Sequence, residues 1–264
     1  MDRLPSVFVS HGSPTFAIDP GQAGPLLAQF GRDLPRPSAV VVMSPHWMTR
    51  GLRVATTARP ETIHDFGGFP QELYAIQYPA PGSPEVAMRV LELLNAAGLE
   101  ASADEEMGLD HGAWVPVRHL YAQADVPVLQ VSMPQSLDPA AAVRIGRALS
   151  PLANEGVLIL GSGSITHNLR EVRWDVGAGE AAASYSHEFV DWARRAVTHH
   201  DENALVNYLE SAPHARRAHP TPDHYLPLPF AFGAADARGP VRVIDGGLTF
   251  GVLAMDAYVF GGAS

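Results

Sequence analysis

Three short apolar runs, each followed within a few residues by a histidine, constrain this chain more than any other feature. The runs are residues 7–10 before His11, 40–45 before His46 and 157–160 before His167. Aliphatic and β-branched runs this short predict buried strands of a sheet flanked by helices. Ligands of such sheets bind beyond the carboxyl ends of the strands. Imidazoles brought together there predict a metal site.

The segments between these runs alternate between helical and strand patterns. Ser83 and Pro84 open a helix that Gly98 ends. Further helices are predicted over 138–149, 181–197 and 203–209, and further strands over 126–131, 241–244 and 253–260. The alternation predicts a single α/β domain over residues 1–264. Its architecture is a three-layer α/β/α fold with a central, largely parallel or mixed sheet, an antiparallel pair at one side, and the metal site at the strand carboxyl ends.

Composition excludes several classes of protein. The chain has 264 residues, no cysteine and no lysine, which excludes disulfides, thiolate ligands, iron–sulfur clusters and lysine Schiff bases. A net charge of -10 argues against nucleic-acid binding. No apolar stretch is long enough to cross a membrane, and no signal-peptide pattern opens the chain. We therefore expect a cytoplasmic protein that binds neither nucleic acid nor membrane; the oligomeric state cannot be predicted.

The glycine- and serine-rich turn before His167 matches neither of two common motifs. Thr166 stands where a dinucleotide fingerprint has its third glycine. The spacing of a serine-hydrolase nucleophile elbow, Gly-x-Ser-x-Gly, is also absent. The turn is therefore interpreted as a connection that carries His167 toward the site.

Two long loop regions, residues 59–84 and 214–229, hold further candidate histidines among prolines and aromatic residues. His64 is a candidate wall residue of a substrate pocket. His219 and His224 bracket a Pro-Thr-Pro-Asp turn, and one of them could complete a metal site, with a helix predicted to begin at His224. His111, in a predicted loop before a glycine, is either a cleft residue or a capping residue.

Seven motifs follow one another along the chain: His-Gly-Ser-Pro at 11–14, Ser-Pro-His-Trp at 44–47, Ile-His-Asp-Phe-Gly-Gly-Phe-Pro at 63–70, Tyr-Pro-Ala-Pro-Gly-Ser-Pro at 78–84, Asp-His-Gly at 110–112, His-Asn-Leu at 167–169 and Pro-Thr-Pro-Asp-His-Tyr-Leu-Pro at 220–227. In this order they resemble the motifs of the DODA-type extradiol aromatic ring-opening dioxygenases, the 4,5-DOPA dioxygenase branch of the class III LigB-like superfamily. The resemblance extends over almost the whole chain.

The resemblance implies one non-haem metal per chain, iron(II) for activity, with zinc(II) in isolated material as an alternative. By position, His11, His46 and His224 match metal ligands, and His167 matches either a fourth ligand or an acid/base. His111 matches a histidine of the substrate cavity, and His219 is given no role.

The function expected from this resemblance is insertion of both atoms of O2 into a catechol, with ring opening next to the diol. His167 is the expected base, and His111 the hydrogen-bonding partner of the oxygen species. His64, Phe66 and Phe69 are expected to line the substrate pocket. Three alternatives stay open: a zinc hydrolase using the same histidines, a non-catalytic metal-binding member of the superfamily, and a purely structural metal site.

Overall fold

A mixed eight-stranded sheet forms the centre of the structure, a computed structural model that describes residues 3–176, 182–236 and 239–262. The strands are β1 Ser6–Ser10, β2 Ala39–Thr49, β3 Leu52–Ala55, β4 Ala101–Asp104, β5 Val128–Pro134, β6 Val157–Gly163, β7 Val241–Ile244, β8 Leu248–Thr249, β9 Leu253–Ala254 and β10 Ala257–Phe260. The helices are α1 Ala23–Asp33, α2 Gln71–Ala75, α3 Pro84–Ala96, α4 His111–Leu120, α5 Pro139–Leu149, α6 Ser184–Thr198, α7 Glu202–Val206, α8 Tyr208–Ser211, α9 Ala215–Ala218 and α10 Pro227–Ala234, with 3-10 turns at Pro14–Ala17 and Ser150–Glu155.

The strand order in this sheet is β4-β3-β5-β2-β6-β1-β10-β7, and β8 and β9 pair in a separate two-stranded sheet. The four central strands β5, β2, β6 and β1 run parallel. At one side β10 pairs antiparallel with both β1 and β7, and at the other β3 pairs antiparallel with β5. The predicted mixed sheet, with its antiparallel pair at one side, is confirmed.

Helices cover both faces of the sheet, which confirms the three-layer α/β/α fold. On one face, α1 and α4 pack on alternate residues of the central strands, such as Val7, Val40 and Leu158. On the other face, α3, α5 and α10 pack on the residues between them, such as Val41 and Ile159. The central strands are buried on both sides, because each face has its own helical layer.

Several predicted boundaries are wrong in detail. The helix predicted over 181–197 begins at Ser184, and Ala181 lies outside the described residues. The helix predicted over 203–209 is two short helices that meet at Asn207. The strand predicted over 253–260 is two strands, β9 and β10, separated by Met255 and Asp256. The Asp256 carboxylate forms an ion pair with Arg194 at this interruption.

The helix predicted to begin at His224 begins instead at Pro227. The His224 carbonyl accepts a hydrogen bond from the Ser164 amide at 2.9 Å, so it is not available to a helical turn. Proline at the first helical position suits a helix that starts there, because its missing N–H would have no partner within the helix.

Two glycines of β6 let the segment that carries His224 pack directly against the strand. A Cβ at Gly161 would overlap the carbonyl oxygen of Pro227, and one at Gly163 would overlap that of His224. The two glycines of the Gly-Ser-Gly sequence are therefore needed for close backbone packing. This packing explains why the segment is rich in glycine although it matches no nucleotide-binding motif.

We predict that Gly161→Ala destabilises the fold by about 1–3 kcal/mol, because the added methyl group must displace α10 from the strand. Urea denaturation would measure the loss. Gly51→Ala is the matched control, since Gly51 is exposed and a Cβ there meets no atom within 4 Å. Equal stability of the two variants would contradict this account of the packing.

Candidate metal centre

Five histidines from distant parts of the chain converge at one edge of the sheet. The ring centroids of His11, His46 and His224 lie 5.1–5.2 Å from one another. His111 lies 4.0 Å from His46 and 5.4 Å from His11. His167 stacks on His224 at 3.4 Å with nearly parallel rings.

The parallel strands bring the first three histidines together. β6 lies between β2 and β1, so the carboxyl ends of all three strands meet at one edge. His11 directly follows β1, where Gly12 turns the chain with a φ of 61°. His46 lies within β2, near its end, and His167 follows β6 by a short turn. The structure therefore brings these three histidines together at the edge where the sequence predicts a shared site.

His111 reaches the cluster from a helix rather than from the predicted loop. It is the first residue of α4, with Asp110 as the N-cap. The buried Asp110 carboxylate accepts hydrogen bonds from the Ser44 hydroxyl at 2.7 Å and from the Ala113 amide at 3.1 Å. Asp110 therefore ties α4 to β2, and burial raises its pKa to about 6.

A hydrogen-bond partner behind three of the rings fixes their orientation. His11 Nδ1 lies 2.9 Å from the Ser162 hydroxyl. His111 Nδ1 donates to the Asp65 carboxylate at 2.8 Å, and His224 Nδ1 donates to the Asp223 carboxylate at 2.5 Å. Contacts of this kind leave the Nε2 atoms for a ligand and are typical of metal-binding histidines.

Most of the cluster histidines are held in the neutral form, which is the form that binds metals. Burial, followed by repulsion from His46 and His224, lowers the pKa of His11 well below its usual value. Burial and the neighbouring histidines lower the pKa values of His46 and His167 to about 2. Burial also lowers the pKa of His224, although Asp223 opposes the shift.

The donor set fits a divalent metal ion. The ligand atoms of His11, His46 and His111 all lie within 4.8 Å of one another, and so do those of His167, Asp223 and His224. The Nε2 atoms of His11 and His46 are 3.1 Å apart. When both rings carry their proton on Nδ1, two lone pairs face each other, and a shared cation stabilises this arrangement.

His167 differs from the other four histidines of the cluster. Within the described residues its ring has no hydrogen-bond partner, although its backbone amide donates to the Ala218 carbonyl at 2.8 Å. A ring without a fixed partner is free to exchange a proton with a ligand. This position agrees with either predicted role for His167, a fourth ligand or an acid/base.

The three predicted pocket residues form one group of rings, but they differ in how close they lie to the histidine cluster. The Phe66 ring lies 5.6 Å from His111, edge to face, and 5.5 Å from the Phe69 ring. Phe69 is next to the exposed Trp174, at 6.2 Å. The His64 ring is bound to the Ile76 carbonyl at 3.0 Å and packs beside Trp114, and none of its described contacts is with a cluster histidine.

His219 lies behind the cluster, buried among Phe189, Tyr208 and Tyr225. Its Nε2 is 2.8 Å from the Ile165 carbonyl, and burial lowers its pKa to about 4. Of the two histidines that bracket the Pro-Thr-Pro-Asp turn, the structure brings His224 into the cluster.

The sequence interpretation missed the residues behind the rings. Asp65 and Asp223 lie in two of the seven motifs, and Ser162 lies in the glycine- and serine-rich turn before His167, but none of the three received a role. An aspartate next to a candidate histidine was the available signal. Adjacency in sequence would have predicted the wrong partner for His111, however. The neighbouring Asp110 side chain binds Ser44, and Asp65 from another loop binds the His111 ring.

Fold and histidine cluster together define a class of metal-dependent α/β enzyme, and the comparisons with known proteins identify the family. The family model described as the catalytic LigB subunit of aromatic ring-opening dioxygenase matches residues 6–261. The chain belongs to this family, and within it to the DODA-type branch. The homologues support ring-opening dioxygenase activity.

Relatives match over nearly the full length. The chain is 39% identical over 257 residues to a 4,5-DOPA dioxygenase extradiol of Escherichia coli (strain K12), covering 96% of this chain and 93% of the relative. A 4,5-DOPA dioxygenase extradiol of Beta vulgaris is 37% identical over 257 residues, covering 96% and 95%. A crystal structure of an uncharacterised Escherichia coli K12 protein superposes with a TM-score of 0.79 at 32% identity, covering 98% of this chain and all of that chain.

Among the described residues, no helix combines the length and the apolar character that a bilayer crossing requires.

We predict that the metal-free protein loses stability as the pH falls from about 7 to 5. Unfolded histidines take up protons near pH 6.5, whereas burial lowers the pKa values of the His11, His46, His167 and His224 rings, so the folded protein binds fewer protons in this range. Each contributes a loss of up to about 1.4 kcal/mol per pH unit below that value. Asp110, with its raised pKa, works in the opposite direction and offsets roughly one histidine below pH 6.

Urea denaturation of the metal-free protein at several pH values would measure this slope. His167→Gln removes one of the four histidines and should make the slope shallower. A free energy of unfolding that is constant or rises as the pH falls would contradict the prediction.

Proposed function

We propose that this protein is an iron(II)-dependent extradiol dioxygenase that opens a catechol ring next to the diol and inserts both atoms of O2. The convergence of five histidines at one sheet edge, three of them with Nδ1 bound to a fixed partner, is the observation that supports this proposal most. Family membership supports the reaction class. The whole chain, residues 1–264, is proposed to act as one catalytic domain with a predicted cytoplasmic location.

His11, His46 and His224 are proposed to hold the metal, with His167 beside them as a fourth ligand or proton carrier. Zinc(II) is the alternative metal in isolated material. His111 is the competing third ligand, since its ligand atom lies close to those of His11 and His46. We assign it to the substrate side instead, because its ring stands against Phe66, where an aromatic substrate could pack.

When bound, iron(II) would take both catechol oxygens and O2 and lower the pKa of a catechol hydroxyl. The chain supplies the proton transfers. His167 is proposed to accept the proton of the second hydroxyl, because its ring has no fixed partner among the described residues. Burial lowers its pKa to about 2, so the ring takes up a proton only when the negative charge of the substrate lies beside it. His111 Nε2, the ring nitrogen opposite the Nδ1 that Asp65 holds, would accept a hydrogen bond from a protonated oxygen on the substrate side of the cluster.

The substrate is proposed to be a small catechol of the DOPA type. Phe66 and Phe69 offer aromatic surface beside His111, which suits an aromatic ring through edge-to-face contact. Two relatives bear the name 4,5-DOPA dioxygenase extradiol. His64 is proposed to support this wall through Phe66, whose ring lies 5.8 Å away.

The first test loads metal-free protein with iron(II) without oxygen, adds L-DOPA or another catechol, and then admits air. We expect oxygen uptake and a yellow ring-opened semialdehyde, with one O2 consumed per catechol. The zinc-loaded protein is the control and should take up no oxygen. Absence of uptake across a catechol panel, or ester hydrolysis by the zinc form alone, would overturn the proposed function.

A second test separates the ligands from the proton carriers. We predict that His11→Ala and His224→Ala lose most of their bound metal, measured by elemental analysis after dialysis. His111→Ala should retain the metal but lose turnover, because its ring is assigned to the substrate. His199→Ala is the control, since His199 is an exposed residue directly after α6 and its ring hydrogen-bonds the Arg195 carbonyl.

The opposite pattern, metal loss in His111→Ala with full retention in His224→Ala, would assign the third ligand to His111. Full metal content in both His11→Ala and His224→Ala would show that the proposed site is misplaced.

A further inference from the structure

One carboxylate, that of Asp65, lies between two histidines of the cluster. Its Oδ2 accepts a hydrogen bond from His111 Nδ1 at 2.8 Å and lies 3.6 Å from His46 Nδ1. Its Oδ1 accepts a hydrogen bond from the His111 backbone amide at 2.8 Å. Both oxygens of Asp65 are therefore directed at the first turn of α4 and the end of β2.

This arrangement leaves His111 little freedom. The two hydrogen bonds from one residue to one carboxylate fix the position of the backbone and the rotation of the ring together. A carboxylate only accepts hydrogen bonds, so His111 must carry its proton on Nδ1 and present the lone pair of Nε2 to the cluster. The His111 side chain is 7% exposed and that of Asp65 is 22% exposed, so water competes little for the contact.

The other partners behind the rings do not have this position. Asp223 contacts the ring of His224, and Ser162 contacts that of His11 through a neutral hydroxyl. Asp223 also lies close to His167, whereas Asp65 is the carboxylate between the rings of His46 and His111. These two rings carry different assignments, because His46 is a proposed ligand while His111 is proposed to serve the substrate side.

We propose that Asp65 is a positioning residue for ring opening: it fixes the tautomer and orientation of His111 and aligns that ring with His46. This inference rests on the proposed function for its catalytic consequence, but the tautomer of His111 can be tested without it. Asp65 itself touches neither the metal nor the substrate. Its contribution passes through His111.

The decisive substitution is Asp65→Asn, which keeps the size of the side chain. An amide has one accepting oxygen and one donating NH2 group, so it cannot accept from both the His111 amide and Nδ1–H. If the oxygen keeps the backbone contact, the NH2 group faces Nδ1 and favours the opposite tautomer, with the proton on Nε2. Asp125→Asn is the matched control, because Asp125 forms an exposed ion pair with Arg36.

The structural readout is the nitrogen NMR spectrum of histidine-labelled, metal-free protein, with the His111 signals assigned through His111→Gln. We expect a protonated Nδ1 at His111 in the wild type and in Asp125→Asn, and its loss in Asp65→Asn. An unchanged Nδ1–H signal in Asp65→Asn would overturn the proposal.

The functional readout is turnover of the iron-loaded protein. We expect kcat of Asp65→Asn to fall by about 10- to 100-fold, with smaller changes in KM and in the bound iron, because the substrate surfaces and two of the proposed ligands keep their partners. Equal kcat in Asp65→Asn and the wild type would also overturn the proposed positioning role of Asp65. If the tautomer changes as expected but no variant opens any catechol, Asp65 keeps its positioning role and the proposed function fails.

Discussion

The parallel alignment of β2, β6 and β1 is the constraint on which the site depends. Because β6 lies between the other two strands and all three run in the same direction, their carboxyl ends meet at one edge. Histidines that are distant in sequence then stand with ring centroids about 5 Å apart. A helix on one face and a loop on the other add His111 and His224 to the same point. If β1 or β2 were reversed, His11 or His46 would lie at the opposite edge of the sheet and the cluster could not form.

The second requirement is that the imidazoles remain neutral and oriented while buried. Burial in the layers around the sheet disfavours the charged form, and neighbouring rings disfavour it further. Hydrogen bonds to Ser162, Asp65 and Asp223 fix three rings from behind. A buried cluster of this kind costs stability in the metal-free protein, since the Nε2 lone pairs of His11 and His46 face each other when both rings carry their proton on Nδ1. The carboxylates of Asp65 and Asp223 supply negative charge beside the rings.

The glycines of β6 show how packing and chemistry share the same residues. Their lack of side chains lets the backbone of 224–227 lie against the strand, while Ser162 between them holds His11. The contact explains how a histidine from a proline-rich loop, which follows no strand, reaches the edge where the strands end. Close backbone packing also accounts for the glycines of the turn before His167, which match no nucleotide-binding motif.

The sequence by itself determined the layered fold, the buried strands and the family. Apolar periodicity and the seven ordered motifs are local patterns, so they can be recognised in the sequence alone. It also identified the five histidines that converge. Only the tertiary structure decided which side chains stand behind them, since Asp65 and Ser162 meet His111 and His11 across long stretches of chain. For the same reason, neighbours in sequence are not always partners in space. Asp110 precedes His111 but caps the α4 helix instead of binding the His111 ring. His64 lies in the same motif as Asp65 but binds a carbonyl outside the cluster. Strand order and backbone packing determine these contacts. Both depend on several distant segments together, so no single segment of the sequence predicts them.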